Sequence, residues 1–149
     1  MKGFLALLII SSILFISSCS EKPCAEDVIL CVCREYPIDA TVYSSERAEG
    51  EEGFIDAEML DTLYGTSEMP TGEFALVLYG KVDTVREIGV FVTDRGDDVI
   101  ALVELIGRRM DFLSSVSDGE GFLKKYRGAV VYAFVSDAER IEAIFDGVT

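Results

Sequence analysis

Apolar and polar positions divide the chain into one greasy run near its start, a polar interval, and a series of short periodic segments. From Phe4 to Ile16 every residue is apolar except Ser11 and Ser12. Val28 to Val32 is a compact apolar run that periodicity alone assigns to neither helix nor buried strand, and Pro37 closes it. Ser44 to Gly53 has no apolar residue larger than Ala48 and reads as a solvated acidic loop. Asp56 is placed to cap a short helix with Leu60, Leu63 and Tyr64 on one side and Gly65 as its stop. Alternation then takes over. Phe74, Leu76 and Leu78 share one face of a strand, and Ile88, Val90 and Val92 share one face of the next. The short link from Lys81 to Val85 predicts an antiparallel hairpin.

Helical spacing returns in Val99, Leu102, Val103, Ile106, Met110 and Leu113, with Glu104, Arg108 and Asp111 off the stripe and Asp94 placed to cap it. A loop spans Ser114 to Gly121. Residues 129–135 read AVVYAFV, apolar on both faces, which predicts a strand central in its sheet. Ser136-Asp137-Ala138-Glu139 has the form of a capping box, and Ile141, Ile144 and Phe145 follow it. The order of segments predicts an α+β fold: a small antiparallel sheet of about three strands, the hairpin plus a central C-terminal strand, packed with helices.

The first residues carry a different message. Lys2, the short greasy core and the small-residue exit Ile16-Ser17-Ser18-Cys19 describe a secretory signal peptide. The run is shorter than the roughly 20 apolar residues of a membrane-spanning helix. A cysteine directly after the small pair is the pattern of a bacterial lipoprotein signal, which makes Cys19 the lipidation site. The chain then divides into a signal peptide at 1–18, a lipidated tether and N-terminal segment with the acidic loop at 19–52, and an α+β domain at 53–149. Multiple acyl chains hold a protein at a bilayer where one binds marginally. The expected location is therefore the extracytoplasmic face of the cell membrane, with membrane lipid engaged through Cys19.

Composition narrows the chemistry. Half of the residues are hydrophobic, enough for a packed core, and the formal charge is -14. Removing the signal takes away only Lys2 and makes the remainder more acidic still, a balance that repels phosphate backbones and sets nucleic acid aside as a partner. The chain has no His, Trp, Asn or Gln. Histidine-dependent catalytic pairs and histidine zinc sites are thus impossible within it, and the commonest general base is missing.

Local candidates for a site each have an ordinary reading beside them. Cys24, Cys31 and Cys33 allow at most one internal disulfide once Cys19 is acylated, and the pairing is open. Cys31-x-Cys33 lacks the second pair that a thiolate metal centre requires, so no metal and no cofactor is expected. Glu46, Glu49, Glu51 and Glu52 lack the ligand spacing of a calcium loop. So do Asp94, Asp97 and Asp98, with Leu105 where a calcium loop would place its glutamate. Arg95-Gly96-Asp97 matches the tripeptide that integrins recognise, but a strand-to-helix turn and a helix cap need the same residues. Glu87, beside Arg86 and Lys81, reads as an exposed edge-strand ion pair worth about 0 to 1 kcal/mol.

Several of these patterns also carry a family resemblance. Asp61-Thr62-Leu63-Tyr64-Gly65, Arg86-Glu87-Ile88-Gly89-Val90-Phe91, the long helix ending in Arg108-Arg109, and the Gly128 to Val135 strand followed by Ser136-Asp137-Ala138-Glu139 occur in this order. Over residues 56–146 the chain resembles the bacterial lipoprotein family known as domain of unknown function 4358. The resemblance implies the fold class and the location and transfers no catalytic residue. The family's tyrosine-containing segment between the long helix and the last strand is reduced here to Phe122 and Tyr126, and the cysteines match no family pattern. The sequence thus points to a non-enzymatic binding or assembly module at the membrane surface, with an unknown protein or small-molecule ligand. The alternative is a carboxylate-dependent extracytoplasmic hydrolase acting on cell-wall or glycan material, which needs two carboxylates facing one cleft about 5 to 10 Å apart.

Overall fold

Five antiparallel strands form one sheet, and helices cover both of its faces. The computed structural model describes residues 24–81, 84–126 and 128–148. The elements are α1 (Ala25–Glu35), β1 (Val42–Ser44), α2 (Ala57–Tyr64), β2 (Glu73–Lys81), β3 (Thr84–Val92), α3 (Gly96–Val116), β4 (Glu120–Tyr126), β5 (Ala129–Val135) and α4 (Ala138–Val148). Their order across the sheet is β1-β2-β3-β5-β4.

The α+β class holds, but the sheet is not the three-stranded one expected from the sequence. Two strands escaped the pattern for physical reasons. β1 has only three residues and leads into the acidic loop, where Ser44 is buried and its N–H bonds to Gly53 O at 3.0 Å. β4 lies at the sheet edge, so its exposed Glu120 and Lys125 interrupt the alternation. With β4 in place, β5 is an interior strand between β3 and β4, and β3 occupies the middle.

Two cores result, one on each face. α1 and α4 bury Ile29, Val32, Ile141 and Phe145 against Val77, Ile88, Val90, Val131 and Ala133. α2 and α3 bury Leu60, Tyr64, Leu102 and Ile106 against Leu76, Phe91, Val130 and Tyr132. Alternation along β5 feeds both, so every residue of Ala129–Val135 is buried. The apolar run Val28–Val32 is helical, and its segment contributes directly to the first core.

α2 follows its local signals at both ends. Asp56 Oδ1 accepts the Met59 N–H at 2.7 Å, and Gly65 closes α2 in the left-handed conformation, φ 70. Other expectations need correction. α3 is capped at Arg95 without a side-chain bond, not at Asp94. Its inner face is Leu102, Leu105, Ile106 and Leu113, while Val103 is 41% exposed. In α4 the cap is Asp137, whose Oδ1 accepts the Arg140 N–H at 3.2 Å, and Ser136 instead meets the Tyr36 hydroxyl at 3.3 Å. The β2–β3 hairpin is tighter than the link predicted, since Lys81 already pairs with Thr84.

Candidate functional site

The most unusual chemistry of the described residues lies between α3 and the sheet. Glu87 projects from β3 on the same face as Gly89 and Phe91, and it is 1% exposed. It is the one buried carboxylate among the described residues, and the expectation of an exposed edge pair with Arg86 or Lys81 is overturned. Arg109 reaches down from α3 and grips it with both ends of its fork: Nε to Oε1 at 3.1 Å and to Oε2 at 3.2 Å, and a terminal nitrogen to Oε2 at 2.7 Å. The Tyr132 hydroxyl, from β5, donates to Glu87 Oε1, and Tyr64 from α2 meets the Tyr132 hydroxyl at 2.7 Å. Four elements thus share one polar chain.

Burial without partners would cost each of these groups several kcal/mol, and here every one is satisfied. Burial works against the charge on Arg109, but the hydrogen bonds and charge of Glu87 raise its pKa despite that. Burial and the nearby Glu87 charge push both Tyr64 and Tyr132 well above the ordinary tyrosine range. Gly89 makes room for the arrangement: a Cβ there would lie 2.2 Å from Tyr132 Cε1.

The tyrosine shifts set a pH dependence. A phenol whose folded pKa lies above its unfolded value of about 10 stabilises the fold fully below that pH, and the contribution is lost as pH rises toward the folded pKa. In an alkaline titration, Tyr64 and Tyr132 are expected to ionise only in a cooperative step that coincides with loss of structure. Tyrosinate absorbance recorded beside circular dichroism checks this. Ionisation of all six tyrosines with the dichroism intact would contradict it.

A second cluster lies where α1 begins. Cys24 Sγ, Glu46 and Glu73 place donor atoms within 4.8 Å of one another. Their contacts are those of a helix cap. Glu73 Oε1 accepts the Ala25 N–H at 3.0 Å, and the Cys24 thiol donates to Glu46 Oε2 at 3.4 Å. Burial raises the Cys24 pKa. Arg47 pairs with Glu26 of α1 and ties the acidic loop to the same end.

The remaining sequence candidates are dispersed. Cys19 lies outside the described residues. Cys24, Cys31 and Cys33 are free thiols, the last two inside α1, where burial raises the Cys33 pKa. Glu49, Glu51 and Glu52 are exposed. Asp98 faces Arg95 at 3.5 Å and the Thr93 hydroxyl at 3.4 Å, so the Arg95-Gly96-Asp97 turn serves the start of α3. The described depressions are open and shallow. One of about 480 Å³ is lined by Ser114, Ser117, Asp118, Gly119, Glu120 and Ser136. Another of about 470 Å³ lies over Ile55, Leu60, Met69 and Phe74. Glu87 lines neither.

Sequence reasoning missed the Glu87 network, although one signal for it was present. Arg109 falls three residues after Ile106 and four before Leu113, on the inner face of α3. A cation there, with an acid on an inward-facing strand position, specifies a buried pair. No protein-family model, no curated protein and no solved structure matches the chain. The resemblance to domain of unknown function 4358 therefore rests on its short motifs alone.

Proposed function

We propose that the chain is a lipid-anchored extracytoplasmic protein, held at the cell membrane through Cys19, whose domain acts as a non-enzymatic binding or assembly module. The observation that supports the non-enzymatic reading most is the closure of the Glu87 network. A carboxylate used as acid or base must reach substrate, whereas both oxygens of Glu87 are taken up by Arg109 and Tyr132 beneath α3. The acids at the rim of the serine-lined depression, Asp118 and Glu120, are exposed and share no buried pocket that would set one apart as a proton donor. The carboxylate-dependent hydrolase gains no support from this geometry.

Among the described residues no helix is long and apolar enough to cross a membrane, so the proposal places attachment in the N-terminal segment. Cys19→Ser is the direct test. The variant is expected to lose the mass of the acyl chains and to leave the membrane fraction or accumulate unprocessed. If Cys19→Ser partitions with membranes like the parent, the anchoring is wrong.

A further inference from the structure

The two ends of the sheet differ in what they can reach. One end gathers the start of α1, the acidic loop and the start of β2, joined by the Cys24–Glu46, Ala25–Glu73 and Arg47–Glu26 contacts. The exposed residues Glu49, Glu51, Glu52 and Glu68 belong to the loops at this end. The other end carries the β2–β3 turn at Lys81–Thr84, the Ser117 hydroxyl bonded to the Val85 N–H at 3.1 Å, and the Glu120–Val135 pair. β2 runs nine residues between the two, roughly 27 Å at the usual strand rise.

Cys19 precedes Cys24 by five residues, and five extended residues reach at most about 18 Å. A lipid on Cys19 thus fixes which end is close to the bilayer. Inversion is geometrically closed: the tether is shorter than the sheet, so the hairpin end cannot face the lipid while the α1 end points away. Lying flat needs a basic flank to draw the domain onto anionic headgroups, and acids hold several of the exposed cations that could form one. Lys124 holds Glu142 and Asp146, Arg108 holds Glu104, and Arg95 holds Asp98, while Arg34 and Lys125 are exposed. The overall charge of -14 opposes adhesion further.

We infer that the domain stands upright on a lipid surface. The face formed by the α1 start and the loops at Glu46–Glu52 and Glu68 is turned to the headgroups across a hydrated gap. The end that carries Lys81, Thr84 and the serine-lined depression at Ser117–Glu120 faces away from the lipid. The inference rests on the lipid anchoring proposed above.

The chain contains no Trp, so a single introduced one is a site-specific donor. Four exposed positions serve: Glu49→Trp and Glu68→Trp at the near end, Lys81→Trp and Glu120→Trp at the far end. Each full-length protein is produced with its signal, its acyl mass is verified, and it is reconstituted into vesicles of mixed zwitterionic and anionic lipid bearing a dansyl headgroup acceptor. The near-end variants are expected to show several-fold greater energy transfer than the far-end pair. Equal transfer from all four on acylated protein overturns the orientation and leaves the anchoring standing. Absence of acyl mass overturns the anchoring, and the orientation falls with it.

Discussion

Replacing Arg109 by Met is expected to destabilise the domain by about 3 to 5 kcal/mol, a large share of what a small domain possesses. The guanidinium is the principal counter-charge for Glu87, which β3 holds at 1% exposure. The variant strands a carboxylate among Tyr132, Tyr64 and apolar side chains. The double replacement Glu87→Leu with Arg109→Met should recover much of the loss, because an apolar pair of similar bulk removes both desolvation costs together. Tyr132 would then keep only its bond to Tyr64. Urea titration of the two variants gives the comparison. A single variant within about 1 kcal/mol of the parent would show that the pair does not organise the core.

Gly89→Ala is expected to cost about 3 kcal/mol, at the upper end of overpacking effects. The added methyl would sit 2.2 Å from Cε1 and 2.9 Å from Cδ1 of Tyr132, and 3.0 Å from Cε2 of Phe91. Neither ring can yield easily. Tyr132 is tethered through its hydroxyl at two points, and Phe91 stacks between Tyr132 and Phe74 at centroid separations of 6.1 and 5.9 Å. Gly80→Ala is the control, since nothing lies within 4 Å of a methyl there. The two should differ clearly in thermal midpoint. Similar midpoints would mean that the ring of Tyr132 has somewhere else to go.

What the sequence disclosed follows from the range of the interactions involved. α2, between Asp56 and Gly65, was legible because its start and stop are local chemistry. The facing strands β2 and β3 and the fully apolar β5 were legible because each is a short apolar run, buried continuously on both faces and bounded by polar or turn residues. β1 was not, because three residues cannot display a period. β4 was hidden because an edge strand mixes Phe122 and Leu123 with Lys124 and Lys125, and because Gly119 leaves room for the ring of Phe134 and Gly121 for the end of the Met110 side chain. The Glu87 network was the hardest to read. Its members are separated by up to 68 residues, and each looks polar and therefore exposed until the inner face of α3 is drawn through Arg109.

The strand order carries a last consequence for how the molecule comes apart. β2 pairs with β3 through nine residues but with β1 through only three, Val42 to Ser44. Local opening runs along such short seams at a fraction of the global free energy. When β1 lifts, Ala75, Leu76 and Val77 keep β3 on one side but lose their cover on the other, and they lie in a stretch reading Phe-Ala-Leu-Val-Leu with no charge or proline to interrupt it. A bare apolar edge of that kind is a template for any other extended chain. Three residues of β1, fastened by the Ser45 hydroxyl on the Phe74 backbone, cover an edge that would otherwise invite strand addition.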